Sequence, residues 1–265
     1  MLVKKKILIL GDKGMLAHTV KRYFKEKEEY EVIGKNRKDF DARNLQSVTA
    51  VILETKPDYV INCVGILNNQ SKSAQLYSDV NIVFPKYLAM ISKHYKFKLL
   101  HVSTNCVYKE KGPHNVSEPP TATDLYGLSK AFGEIDDKHN LTIRTSFIGP
   151  ELKKDGCGLF QWFTEKTGKK TGGYTTAIWN GVTTLQLAKF MDKVIKNDNL
   201  KGIINYYSKK PITKYALLWA INEIYGLNKE IEAVAKEGVH SSLLTGQFYT
   251  EKDIPTQIRE LKSWY

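Results

Sequence analysis

The sequence predicts a doubly wound parallel α/β sheet with a smaller lobe contributed mainly by the C-terminal third of the chain. Short apolar runs alternate with helical patterns from the first residues onward. These runs are apolar on both faces, which is typical of parallel strands covered by helices on both sides. A glycine-containing turn at residues 11–17 joins the first run to the first helical pattern. A chain of 265 residues can build one such domain together with a small companion.

The elements follow one another as strand and helix in turn, which is the order that a parallel sheet with crossover helices requires. The predicted strands cover residues 5–10, 31–33, 59–63, 98–103, 141–145 and 203–206. The predicted helices cover residues 15–26, 45–55, 75–94, 126–137 and 185–197. The alternation stops after Gly149-Pro150. We therefore assign residues 1–149 and 182–206 to the larger domain, and residues 150–181 and 207–265 to the lobe.

Composition limits the classes of function. The formal net charge is +12, but the lysines are scattered and many alternate with glutamates, so we do not expect a nucleic-acid partner. The apolar runs are far shorter than the roughly 20 residues of a membrane-spanning helix. Three cysteines form a sparse, odd set that fits a reducing cytoplasm. The six histidines are dispersed, and no spacing suits a metal site.

The turn after the first strand has the spacing of a dinucleotide-binding fingerprint. Gly11 permits the tight turn, Gly14 lets the backbone approach a diphosphate, and Ala17 allows close packing of helix on strand. The helix N-terminus offers free N–H groups to the same diphosphate. The other residues expected to contact a dinucleotide in this turn are Lys13, Met15 and Leu16.

The end of the second strand bears on the choice between NAD and NADP. An acidic residue there would bind a ribose 2′-hydroxyl, whereas this chain has Lys35, Arg37 and Lys38. Arg37 can hold a 2′-phosphate with two parallel hydrogen bonds, so the sequence favours NADP(H) over NAD(H). The alternative is an ordinary basic turn. Asp41 is a candidate acceptor for the adenine amino group.

A catalytic group is predicted from a tyrosine and a lysine one helical turn apart. Tyr126 and Lys130 share a helix face, and Thr104 ends a strand 22 residues earlier. A carbonyl reductase needs an acid that protonates the oxygen as hydride arrives, and a neighbouring ammonium favours the phenolate of tyrosine. We therefore expect Tyr126 to be the acid, Lys130 to lower its pKa, and a strand-end hydroxyl to hold the substrate carbonyl.

These segments together resemble the extended short-chain dehydrogenase/reductase family, and most of all its dTDP-4-dehydrorhamnose reductase branch. The resemblance covers nearly the whole chain and is carried by residues 11–17, 57–65, 80–81, 101–108, 126–130 and 144–146. It implies a Rossmann-type NADP-binding domain with a C-terminal substrate-binding lobe. It also implies reduction of the 4-keto group of a nucleotide-activated 6-deoxysugar, used for cell-surface polysaccharide. Members of the family often form homodimers, although no interface can be identified from this sequence.

The resemblance also implies roles for individual residues. It makes Thr104, Tyr126 and Lys130 a catalytic triad, with the last two also contacting the cofactor. It places Cys63, Val64 and Gly65 along the cofactor after the third strand, and Asn81 on the helix that supports the active site. Ser103 is a further cofactor-contacting candidate. The candidates for binding the substrate are Cys106, Arg144 and Trp179. Trp179 is a candidate as an aromatic residue that could stack on the sugar or base, with packing of the lobe as the equal alternative.

Two departures from the branch leave the substrate open. Cys106 stands where GDP-fucose synthases carry an acid–base cysteine, but the histidine that they pair with it is missing between His139 and His240. A Gly-x-Pro-Thr element near the lobe lacks its proline at residues 181–184. The alternatives are therefore an epimerase or combined epimerase–reductase that uses Cys106, and a non-catalytic NADP-binding regulatory subunit. Cys106 is otherwise a small residue that shapes the pocket.

Overall fold

The computed structural model describes residues 4–68, 73–153, 156, 158–237 and 242–265. Its centre is a sheet of seven strands that pair in parallel throughout. From one edge to the other, the strands are β2 (Tyr30–Lys35), β1 (Lys5–Leu10), β3 (Tyr59–Asn62), β4 (Lys98–Val102), β5 (Leu141–Arg144), β10 (Gly202–Ser208) and β13 (Phe248–Thr250). The predicted doubly wound parallel sheet is confirmed.

Helices cover both faces of this sheet and bury two apolar layers, one of them around Phe24 and Ile143 and the other around Phe84 and Leu99. The helices are α1 (Met15–Lys25), α2 (Leu45–Thr55), α3 (Ala74–Tyr77), α4 (Phe84–Ser92), α5 (Leu125–Phe132) and α7 (Thr184–Asn197). A π-helical segment, Ser78–Val83, makes α3 and α4 one continuous helix. In the part of the chain that the structure describes, no helix is long and apolar enough to span a membrane.

The lobe has its own apolar core, in which Phe163, Trp179 and Leu217 are buried together. Its helices are α6 (Leu159–Gln161), α8 (Lys214–Tyr225) and α9 (Ile254–Trp264). Two pairs of short strands lie in the lobe: β7 (Lys170–Tyr174) with β12 (Glu230–Val234), and β8 (Ile178–Trp179) with β11 (Ile212–Thr213). A third pair, β6 (Phe147–Ile148) with β9 (Val182–Thr183), belongs to the residues assigned to the larger domain, next to the lobe.

Most boundaries differ from the sequence expectation by at most two residues, and two assignments differ by more. β13 lies within residues 207–265, which we assign to the lobe, yet it pairs with β10 and extends the central sheet. Helix α5 ends at Phe132 rather than continuing to residue 137. Its last residues leave the helix at Gly133, whose N–H bonds to the carbonyl of Ser129, and the chain then turns towards β5.

The strand order fixes where a ligand site can form. The chain connects β1 outward to β2 and then returns to β3 on the other side of β1. In doubly wound sheets, ligands bind beyond the carboxyl ends of the strands at such a reversal. Gly11 follows β1 and Cys63 follows β3, so these two predicted cofactor residues border the same crevice.

Candidate active site

The turn after β1 is shaped by one glycine with a left-handed conformation. Gly11 has φ of 83°, and a Cβ added there would lie 3.1 Å from Cγ2 of Val64. The N–H of Gly14 bonds to the carbonyl of Gly11 at 2.8 Å, which closes the turn. No side chain caps α1 at Gly14, so its first N–H groups are directed to whatever occupies the crevice.

The residues around this turn fit a dinucleotide diphosphate. The helix N-terminus supplies donors, and the partly exposed residues Cys63, Val64 and Gly65 lie across the turn, with Val64 and Cys63 next to Gly11. Lys13 is exposed on the turn, whereas the side chain of Leu16 is packed into the core and can offer only its backbone. The remaining predicted residue, Met15, is partly buried and lies against Gly158 of the lobe.

The three cations at the end of β2 and just after it are not equivalent. Lys35 forms a salt bridge with Glu54 at 2.9 Å. Arg37 and Lys38 are exposed, and neither forms a salt bridge with any residue that the structure describes. Asp41 is held by Arg43 at 2.7 Å, which lowers the pKa of Asp41 to about 2. Arg37 is therefore the free donor for a 2′-phosphate, and Asp41 is an ionised acceptor next to it.

The predicted catalytic residues are brought together at the end of β4 and the start of α5. Thr104 follows β4, and its hydroxyl accepts the N–H of Cys106 at 3.1 Å. Asp124 caps α5 by accepting the N–H groups of Tyr126 and Gly127 at 3.1 and 3.0 Å. This cap fixes the first turn of α5, so that Tyr126 comes within hydrogen-bonding reach of the Thr104 hydroxyl.

Lys130 is the most buried member of this group, with 5% of its surface exposed. Its ammonium donates to the carbonyl of Val102 at 2.8 Å. Burial lowers the pKa of Lys130 to about 8. Burial also raises the pKa of Tyr126, an effect to which Cys106 adds and which the hydrogen bond with Thr104 opposes. The pKa of Tyr126 is thus raised and not lowered as the sequence predicts, because desolvation by burial outweighs the effects that oppose it.

Asn81 supports this group from the π-helical segment. It is buried, accepts the N–H of Ile66 at 2.8 Å and donates to the carbonyl of Ile66 at 3.0 Å. It also donates to the hydroxyl of Ser129 on α5 at 2.9 Å. These bonds hold the loop after β3 against the catalytic helix, so the proposed contribution of Asn81 to cofactor binding is indirect.

Two sequence assignments, those of Arg144 and Ser103, need correction. Both side chains bind the buried carboxylate of Glu134. Arg144 is 2% exposed and forms a bidentate pair with Glu134, at 2.8 and 2.7 Å. It also donates to the hydroxyl of Tyr108 at 2.5 Å. Ser103 donates to the same carboxylate of Glu134 at 2.7 Å. Both side chains are thus committed to buried partners within the protein, so we remove Arg144 from the substrate-binding set and Ser103 from the set of side chains that contact the cofactor.

The side chain of Trp179 is also engaged in contacts within the protein. Only 8% of it is exposed, its indole N–H donates to the hydroxyl of Ser146 at 2.8 Å, and its ring packs within the core of the lobe. An aromatic ring in that position stabilises the lobe and has little surface left on which a sugar or base can stack. The sequence could not separate these two roles, because both need a large aromatic residue near the lobe.

Cys106 lies beside the catalytic group, as expected for a pocket-lining residue. It is a free, partly exposed cysteine whose pKa is raised by burial. The charge of Lys214, at the start of α8, opposes this rise. Sequence reasoning missed Lys214. No local pattern shows that a lysine of the lobe comes close enough to a cysteine of the larger domain to affect its pKa. His240 lies outside the described residues.

A glycine at the end of α5 tests how tightly the catalytic helix is packed. A Cβ added at Gly133 would overlap the carbonyl oxygen of Asn81. We expect Gly133→Ala to lower the free energy of unfolding by about 2 kcal/mol in urea titration, because a backbone atom cannot move aside as a flexible side chain can. Gly168→Ala is the matched control, since nothing lies within 4 Å of its added Cβ. Equal stability of the two variants would contradict this packing.

Comparison with known proteins places these features in a family. The family model described as the RmlD substrate binding domain matches residues 5–242. A dTDP-4-dehydrorhamnose reductase structure from Clostridium acetobutylicum superimposes with a TM-score of 0.83 at 21% identity, covering 98% of this chain and 99% of that one. The corresponding Bacillus anthracis protein, solved in complex with NADP, gives a TM-score of 0.80 at 21% identity, with 92% and 91% covered.

One relative has a different description. The methionine adenosyltransferase 2 subunit beta of Xenopus laevis is 24% identical over 250 residues, which is 84% of this chain and 73% of that protein. The chain is thus similar both to proteins described as reductases and to one described as a subunit of another enzyme.

Proposed function

Because the chain belongs to the RmlD substrate-binding-domain family, we propose that it is an NADP(H)-dependent reductase of the 4-keto group of a nucleotide-activated 6-deoxysugar. One observation carries this proposal: Tyr126 and Thr104 lie within hydrogen-bonding reach of each other, and Lys130 lies one helical turn further along α5. The crevice at the strand reversal, bordered by Gly11 and Cys63, provides the neighbouring dinucleotide site.

The chain's own residues have separable tasks in this reaction. NADPH, when bound, supplies the hydride. The Thr104 hydroxyl orients the ketone oxygen, and the Tyr126 phenol donates the proton that this oxygen takes up. The buried ammonium of Lys130 favours the phenolate that remains after the proton has left. The low exposure of Lys130 keeps water away from this charge, so its electrostatic effect is larger than it would be at the surface.

The test is a panel of substrates. Oxidation of NADPH is followed by absorbance with dTDP-, UDP- and GDP-linked 4-keto-6-deoxysugars, and the sugar products are identified by NMR. We expect one nucleotide series to be turned over with saturation kinetics. Failure with all three series, while NADPH still binds, would contradict the proposal.

The second candidate is a non-catalytic NADP-binding subunit, favoured by the similarity to the methionine adenosyltransferase beta subunit. It predicts NADP binding without turnover, together with a stable complex with another protein that carries the enzyme activity. The presence of Thr104 beside Tyr126, with Lys130 one helical turn further along α5, favours the reductase instead. The substrate panel distinguishes the two, since only a reductase consumes NADPH.

Cofactor preference gives a further prediction. We expect Arg37→Ala to raise the KM for NADPH about tenfold and to change the KM for NADH less than twofold, because only NADPH carries the 2′-phosphate that two hydrogen bonds from arginine would hold. Lys35→Ala is the matched control, since its ammonium is already paired with Glu54. Initial rates with both cofactors measure the effect. An equal change in both KM values would contradict the role of Arg37.

A further inference from the structure

A buried carboxylate lies directly beneath the catalytic helix. Glu134 follows the end of α5 by two residues and is 6% exposed. It accepts two hydrogen bonds from Arg144, at the end of β5, and one of 2.7 Å from the hydroxyl of Ser103, immediately after β4. One side chain therefore ties the end of the helix to the ends of two neighbouring strands.

This connection reaches both parts of the catalytic group. Ser103 precedes Thr104, so the bond from its hydroxyl to Glu134 restrains the backbone that carries the Thr104 hydroxyl. Glu134 also anchors the C-terminal end of α5, the helix that carries Tyr126 and Lys130. Loss of this anchor would let strand end and helix move independently, and a small displacement of reacting groups lowers a rate strongly.

Electrostatics points to the same residue. Lys130 forms no salt bridge within the described parts of the chain, and its own hydrogen bond is to the neutral carbonyl of Val102. The charges that act on Lys130 most strongly are those of Glu134 and Cys63. The other titratable or charged groups on α5, at its ends or on the elements packed against it are Tyr77, Asp79, Lys86, His101, Cys106, Asp124, Tyr126 and Arg144. Of these, Glu134 has the largest charge effect on Lys130, and it raises the pKa that burial lowers.

We propose that Glu134 is a positioning residue, which holds the strand end carrying Thr104 in register with the catalytic helix and keeps a negative charge near Lys130. This inference rests on the proposed reductase function. Nothing in the sequence pattern marks Glu134 for this task except its spacing of four residues from Lys130, which a surface helix pair would also have.

The first part of the proposal, that Glu134 holds the strand end in register with the helix, is tested with Ser103→Ala. This variant removes one hydrogen bond and keeps the Glu134–Arg144 pair. We expect kcat to fall about tenfold while the KM for NADPH changes less than twofold. The matched control is Ser92→Ala, because Ser92 is equally buried and bonds the carbonyl of Ala89, away from the catalytic group. Wild-type kcat in Ser103→Ala would overturn this half.

The electrostatic half is tested with Glu134→Gln, by NMR titration of Lys130 in protein labelled with ¹³C at lysine Cε. The Lys130 signal is assigned with Lys130→Arg. We expect the midpoint to move to lower pH by about one pH unit, because a charge that favours the ammonium has been removed. The alkaline limb of the kcat profile is expected to move in the same direction. An unchanged midpoint would overturn the proposal.

The experiment remains decisive if Glu134→Gln does not fold and if the wild type has no reductase activity. If Glu134→Gln does not fold, the double variant Glu134→Gln/Arg144→Met removes both charges and leaves no buried ion unpaired. If the wild type reduces no nucleotide sugar, the proposed function fails. The NMR titration needs no substrate and still decides whether Glu134 controls the charge of Lys130.

Discussion

Replacement of Tyr126 by phenylalanine is expected to lower kcat about a thousandfold and to leave the Kd for NADPH within about twofold of its wild-type value. Removal of a general acid costs between about a hundredfold and ten-thousandfold in rate. The phenol oxygen is the only atom lost, and the ring continues to fill its place beside Tyr77 and Ile66. Steady-state kinetics and NADPH fluorescence titration measure the two quantities separately.

The control is Tyr206→Phe, which also removes one buried phenol oxygen. Tyr206 lies on β10 and its hydroxyl accepts from Gln186 at 3.0 Å, so its loss affects stability but not the catalytic group. Wild-type turnover by Tyr126→Phe would show that another group supplies the proton. Cys106 would then be the first residue to test, because it lies next to Tyr126 and adds to the rise in its pKa.

The dinucleotide crevice could be predicted because its signals are local. The tight turn at Gly11, the uncapped helix start at Gly14 and the run of buried strands depend on residues close together in sequence. The placement of Tyr126 and Lys130 on one helix follows from their spacing alone. The position of this helix relative to Thr104 could be predicted only from the family resemblance, because no spacing in the sequence specifies which strand end a helix contacts.

The errors arose where a distant partner decides the role of a side chain. Arg144 carries the same charge whether it binds a substrate or Glu134, and only the folded chain brings Glu134 to it. The sequence of Trp179 and its neighbours does not show whether other residues of the lobe cover the ring, and in the folded chain they bury it in the core of the lobe. The strand β13 is too short to show a periodic pattern, and it is a strand because β10 offers it an edge.

The second large effect concerns stability. Arg144→Met is expected to lower the free energy of unfolding by about 3–5 kcal/mol, because it leaves the Glu134 carboxylate buried without its counter-ion. The side chains of Arg144 and Glu134 are 3% and 4% exposed, so solvent cannot replace the lost partner. Urea titration at pH 8 measures the change.

The pH dependence identifies the cause of that loss. An unpaired buried carboxylate has a raised pKa in the folded state, so the folded variant binds a proton more readily than the unfolded chain. Its stability relative to wild type should therefore recover as the pH falls through that raised pKa, and should be poorest above it. The double variant Arg144→Met/Glu134→Gln should lack this dependence and regain most of the stability. A stable Arg144→Met protein with a raised KM for the sugar nucleotide would instead return Arg144 to the substrate site.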